Sequence, residues 1–133
     1  MPGPARRGKY NAKPTTVDGI RFHSAKEARR YQELKLLEKA RAIIGLRLQP
    51  RYMLCALVLE GADCRNVNAG SVSQRRHPVG DYVSDFEYRE PINVLGHTVW
   101  RTVVEDTKGV KTDVYKLKKR LFEAQYGIQI RET

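Results

Sequence analysis

The stretch Val103-Val104-Glu105-Asp106-Thr107-Lys108-Gly109 decides how the rest of this chain is read. It closes a β-branched, apolar run (Thr98, Val99, Trp100, Thr102, Val103, Val104) with two acids, a threonine, a lysine and a glycine. Side chains alternate across a strand, so a strand from His97 to Lys108 puts Asp106 and Lys108 on one face and Glu105 and Thr107 on the other. An acid beside a lysine at the end of a buried strand costs desolvation free energy unless something there uses both. A divalent cation and a phosphate group are partners of that chemistry.

Working outward, Asp81 to Tyr88 (DYVSDFEY) alternates apolar and polar residues and predicts a strand on which Val83 and Asp85 share a face. Glu90 to Gly96, with Pro91 and Asn93, predicts the turn between the two strands, and an antiparallel pair is the shortest connection. Arg51 to Leu59 (RYMLCALVL) predicts another strand, and Leu46 to Gln49 alternates briefly before Pro50. Between them, Gly61 to Pro78 is polar and carries Arg65, Arg75 and Arg76, which predicts a long loop. Its arginines can meet a phosphate backbone, or the segment can be a solvated hairpin extension.

Downstream, Thr112 to Tyr126 predicts a helix capped by Thr112 or Asp113 and stopped at Gly127. Val114, Leu117, Leu121 and Ala124 or Gln125, supported by Phe122, are its expected inner stripe, while Lys116, Lys118, Lys119 and Arg120 load its sides with charge. Ile128 to Arg131 alternates as a last short strand. Towards the N-terminus, a helix from Ser24 to about Ala42 buries Ala28, Tyr31, Leu34 and Leu37 at helical spacing. Ser24 is its expected N-cap, and Glu27, three residues on, completes a capping box. Glu27 also borders the inward face, so it reads either as a cap, which the local pattern favours, or as a carboxylate aimed into the fold. Gly19 to His23 alternates apolar and polar residues and predicts a short strand or an extended lead-in. Residues 1–18, with Arg6, Arg7, Lys9 and Lys13, read as a flexible basic arm ahead of one domain at 19–133.

Composition narrows the class. At 133 residues there is room for one core, and 41% hydrophobic with 30% charged residues fits a soluble globular protein. No apolar run reaches the roughly 20 residues that span a bilayer, and MPGPARRGKY lacks a secretory core, so a cytoplasmic location and no membrane partner are expected. Twenty-five basic against 15 acidic residues give a net charge of +10, which points to a polyanion such as DNA; a simply soluble basic protein, or one that meets anionic lipid, is the alternative. Cys55 and Cys64 are too few for a disulfide framework or zinc cage, and His23, His77 and His97 have no ligand spacing.

The acids now fall in order: Glu27 on the first helix, Asp85 on one strand, Asp106 with Lys108 on its neighbour. Neighbouring strands lie about 4.8 Å apart, so two carboxylates at one level can share a divalent ion. Magnesium suits such oxygen ligands and completes its shell with water and substrate phosphate. Alone, Asp106–Lys108 could equally be an exposed ion pair worth about 0–1 kcal/mol.

The ordered set Asp85, then Asp106-Thr107-Lys108, on a helix-strand-strand-strand-helix-strand order resembles the PD-(D/E)XK nuclease superfamily, including its small phage and archaeal Holliday-junction-resolving members. The resemblance runs from Lys9 to Gly127 and omits the basic arm and the Gly61–Pro78 loop. It implies an α/β restriction-endonuclease-like core (α-β-β-β-α-β), a mixed central sheet flanked by helices. It implies a magnesium-dependent endodeoxyribonuclease, with manganese as a substitute, and a homodimer making paired cuts in four-way or branched DNA. Glu27, Asp85, Asp106 and Lys108 match the family's catalytic positions, the first three as metal ligands. Arg6, Arg7, Lys9, Lys13, Arg75, Arg76, Lys111, Lys116 and Lys119 are the expected DNA contacts. A phage origin would make the host cytoplasm its location. Ser84 stands where the family often has proline, and Glu105 beside Asp106 leaves open which acid faces inward. A nicking, restriction or repair nuclease on the same fold, or a non-catalytic DNA-binding module, is the alternative reading.

Overall fold

Two helices and eight strands make up the described residues, 13–60 and 73–133, of the computed structural model. In chain order they are β1 (Thr15–Val17), β2 (Ile20–Phe22), α1 (Ala25–Lys39), β3 (Ile44–Leu48), β4 (Arg51–Glu60), β5 (Ser73–Val83), β6 (Phe86–Val94), β7 (His97–Asp106), α2 (Asp113–Tyr126) and β8 (Ile130–Glu132). Hydrogen bonding orders four strands as β3-β6-β7-β8, while β1-β2 and β4-β5 form separate two-stranded sheets. β7 and β8 run parallel, with Val104, Glu105 and Asp106 level with Ile130, Arg131 and Glu132. Only two residues, Leu95 and Gly96, connect β6 to β7, and both take positive φ (51° and 82°), the turn that suits the twist of an antiparallel pair. The sheet is therefore mixed, and the protein is of the mixed α/β class.

The chain divides into two compact units, one made of the described residues up to Leu46 with Tyr88–Arg101, the other of Arg47–Glu87 with Thr102–Thr133. In the first, the β1-β2 hairpin meets α1 through Phe22 and Tyr31, whose rings lie 5.0 Å apart. Ser24 caps α1 as expected, its Oγ accepting the Glu27 N–H at 3.1 Å. Ala28, Tyr31 and Leu34 are buried, but Leu37, expected on that stripe, is 39% exposed. The helix ends at Lys39, before Leu37's turn can be covered. β1 lies within residues 1–18, so the expected basic arm is extended structure from Thr15, paired with β2 from Thr15–Phe22 to Val17–Ile20. Residues 1–12 lie outside the described residues.

In the second unit, Leu54, Tyr82, Val104, Tyr115, Phe122 and Ile130 form the core, with Tyr52 and Ile128 packed against it. The Phe122 ring lies 4.8 Å from Tyr52 and 5.2 Å from Tyr82. Thr112 caps α2 through its side chain, and Gly127 ends it at φ 67°, a left-handed position where a side chain would be strained. The expected inner face of α2 is corrected. Val114 (65%) and Leu117 (58%) are exposed, and Leu121 is largely so; Tyr115 and Phe122 are the buried pair. They fill the space beside Tyr52 and Tyr82, which aliphatic side chains of that size do not.

Two further boundaries differ from the sequence reading. The Gly61–Pro78 loop is shorter, because Ser73 to Pro78 already belongs to β5, paired with β4 as the extended hairpin that was the second reading of that segment. Residues 61–72, including Arg65 and Cys64, lie outside the described residues. The strand expected over Asp81–Tyr88 is two strands, broken at Ser84-Asp85. There the backbone changes partners: Ser84 N–H donates to Pro50 O at 3.3 Å, and Asp85 N–H to Glu105 O at 3.2 Å. No helix among the described residues is long and apolar enough to cross a membrane.

Candidate active site

Three of the four acid and lysine positions singled out from sequence come together in the second unit. Asp85 stands in the two-residue junction between β5 and β6, not within a strand, and its backbone N–H already reaches β7. Its Oδ2 accepts two hydrogen bonds from Thr107, one from the backbone N–H and one from Oγ1, each 2.7 Å. Asp106 is the last residue of β7 and has no exposed surface. Its Oδ2 accepts from the Tyr82 hydroxyl at 2.7 Å. Lys108 Nζ lies 3.1 Å from Oδ1, near enough for an ion pair, yet Oδ1 is buried without a hydrogen bond of good geometry.

These contacts set the electrostatics. Burial raises the Asp106 carboxyl to about 6. The Tyr82 hydrogen bond and the Lys108 charge act against that rise, and the charge and hydrogen bonding of Asp85 act with it. Asp85 and Asp106 are therefore close enough to disfavour a second negative charge, the behaviour of two carboxyls sharing one site. Tyr82 is pushed up by burial and then by its bond to Asp106, so it stays a neutral donor.

Glu105 is also fully buried but keeps a different neighbour, accepting from Thr133 Oγ1 at 3.4 Å. Asp106, not Glu105, is the acid that stands with Lys108. β7 ends at Asp106, so strict alternation stops there and Thr107 turns to Asp85 while Lys108 still reaches Asp106.

Glu27 belongs to the first unit. It is 3% exposed, and its Oε2 accepts the His23 N–H at 3.1 Å, one residue before the Ser24 N–H that a capping box uses. Among the described residues, no group of three or more His, Cys, Asp and Glu side chains is arranged to hold a metal ion. In the second unit Asp85 and Asp106 are the two carboxyls that stand together beside Lys108.

Sequence reading missed Tyr82, Thr107, Tyr115 and Glu132. The Tyr115 ring lies beneath Lys108 Nζ, 5.8 Å from its centroid, and its hydroxyl donates to Glu132 Oε1 at 3.0 Å. Glu132 also pairs with Lys111, and with Lys119 at 2.9 Å, and those two lysines hold its carboxyl down at about 2. The hydroxyl of Thr107, between the acid and the lysine, was the one signal on view; the tyrosines are recognisable only once the strands and α2 are in place.

Of the expected DNA contacts, Arg75 and Arg76 are exposed on β5, level with Val58 and Leu57. Lys13 is exposed ahead of β1; Lys111, Lys116 and Lys119 gather along α2 and β8. Arg6, Arg7 and Lys9 lie outside the described residues.

Fold and site together define a mixed α/β protein with two carboxyls and a lysine converging at the end of a buried strand. The chain belongs to a family described as "Protein of unknown function (DUF1064)", whose model matches residues 7–133. Compared with curated proteins and with solved structures, it matches none.

Proposed function

We propose that the protein is a magnesium-dependent endodeoxyribonuclease with a restriction-endonuclease-like core, acting as a homodimer on four-way or otherwise branched DNA. The observation that carries this reading is Asp106, fully buried, with Oδ1 lacking a hydrogen bond, beside a second carboxyl and a lysine. A fully buried carboxyl with a second, half-buried one beside it is unfavourable unless a proton or a cation lies with them, and oxygen ligands of this kind suit magnesium. Bound by Asp85 and Asp106, magnesium would neutralise charge on the scissile phosphate and make a bound water more acidic.

The chain's own groups support the same chemistry. Tyr82 fixes Asp106 through Oδ2 and leaves Oδ1 for a ligand; Thr107 fixes Asp85 with two donors on one oxygen. Lys108, 36% exposed at its side chain, sits where an ammonium can stabilise negative charge developing on a phosphate. The net charge of +10 favours a polyanionic substrate. Glu27 is in the other unit, where its Oε2 accepts the His23 N–H at the start of α1; the steps proposed here are assigned to Asp85, Asp106 and Lys108, and Glu27 stays the further metal ligand that the resemblance implies.

The test is a panel of linear, nicked, flapped and four-way DNA with magnesium, manganese or a chelator. The reading expects metal-dependent cleavage with the four-way substrate preferred. Preference for linear duplex at a defined site would favour a restriction-type enzyme. Tight, salt-sensitive binding with no cleavage in either metal would favour a non-catalytic DNA-binding module.

A further inference from the structure

Beyond the acid pair, α2, β8 and Lys111 border an open cleft of about 330 Å³, in the range of small-ligand pockets. Lys111, Lys116, Lys119 and Arg120 line it, against the two carboxylates of Glu123 and Glu132. Glu132 is already committed, accepting from Lys111, Lys119 and Tyr115. Glu123 Oε1 accepts the Ile130 N–H at 3.0 Å. Among the described residues Lys116 pairs with Asp113 alone, whose side chain is fully exposed, so that pair holds it weakly. Arg120 has no carboxylate partner within the salt-bridge distance among the described residues. The pocket thus carries surplus positive charge concentrated on Lys116 and Arg120, with an aromatic wall.

That wall is Tyr115. Its ring carries Lys108 Nζ and its hydroxyl holds Glu132, so one aromatic side chain touches both the acid-lysine site and the basic cleft. We infer that the pocket binds a second phosphate group of the same nucleic acid strand, with Lys116 and Arg120 as its principal contacts, positioning the strand whose neighbouring phosphate meets Lys108. This rests on the nuclease reading for its source of phosphate; the shared chemistry, a phosphate on two cations, would also suit a free mononucleotide or inorganic phosphate.

The experiment measures binding of a labelled DNA duplex to the full chain in chelator, across a salt series. Wild type is compared with Lys116→Ala/Arg120→Ala and with Arg29→Ala/Lys39→Ala, a control pair of exposed cations on α1. Losing the contact to this one phosphate is expected to reduce the slope of log affinity against log salt by roughly 0.9, with unchanged melting temperature. The control pair is expected to change it by less than half as much. An equal effect from both pairs would overturn the proposal, since it would report overall charge and no built site. So would an unchanged slope accompanied by micromolar binding of inorganic phosphate or thymidine monophosphate that the Lys116→Ala/Arg120→Ala variant loses, which would make the pocket a free-phosphate site. Cleavage in magnesium is scored separately. The expected slope change without cleavage by wild type leaves the pocket standing and sinks the nuclease reading; cleavage with an unchanged slope does the reverse.

Discussion

Asp106 is where burial, charge and hydrogen bonding meet in a single side chain. Its folded-state carboxyl titrates at about 6 against 3.8 for the unperturbed group, so between those values the folded chain holds a proton that the unfolded chain has released. Without metal, the contribution of Asp106 to stability is therefore fully present below about pH 4, falls as pH rises towards 6, and levels beyond it. The fall is on the order of 3 kcal/mol. Asp106→Asn keeps an acceptor for Tyr82 but cannot ionise, and chemical denaturation across that pH range is expected to lose most of the decline. Tyr82→Phe acts the other way. It leaves Asp106 Oδ2 without its donor, which costs about 1–3 kcal/mol, and it moves the Asp106 titration further up, because that hydrogen bond is what holds it down. The same variant is expected to shift the rising limb of any cleavage–pH profile to higher pH.

At the scale of elements, α2 separates what a pattern reveals from what packing decides. Its aliphatic stripe of Val114, Leu117 and Leu121 is the clearest period in the sequence, yet Tyr115 and Phe122 are the side chains it buries. Phe122→Ala is expected to cost about 3–5 kcal/mol by opening a cavity among Tyr52, Tyr82 and Tyr126, whereas Leu117→Ala is expected to cost under about 0.5 kcal/mol. Equal melting curves for the two variants would contradict this assignment of faces. Three of the four helix ends were legible because Ser24, Thr112 and Gly127 are chemically specific caps that act locally; the end of α1, expected at about Ala42 and found at Lys39, has no such residue. The inner face was not, because it depends on aromatic rings arriving from β4 and β5. The acid–lysine site was legible for a related reason: Asp106 and Lys108 are close in sequence, and Asp85 precedes a strand joined to theirs by a two-residue turn. Its supports were not, since Tyr82 meets Asp106 only through tertiary packing, and Thr107 meets Asp85 because β7 stops two residues earlier than the expected end at Lys108.

At the scale of the whole molecule, a charge of +10 and a buried carboxyl with a second one beside it point to a polyanion and a cation in the same chemistry. If Asp85 and Asp106 hold magnesium, the ion binds only the folded chain and stabilises it by mass action. Adding magnesium at pH 8 is expected to raise the melting temperature by about 2–4 °C for wild type, chelator is expected to reverse it, and Asp106→Asn is expected to show neither effect. The most direct measurement of the central claim is cleavage of a labelled four-way DNA junction in magnesium by wild type, Asp106→Asn and Lys108→Ala, side by side. The account predicts cut product from wild type, none in chelator, and rates lower by about 10²–10³ for each variant. Cleavage that persists in chelator, or that either variant retains at the wild-type rate, would contradict it.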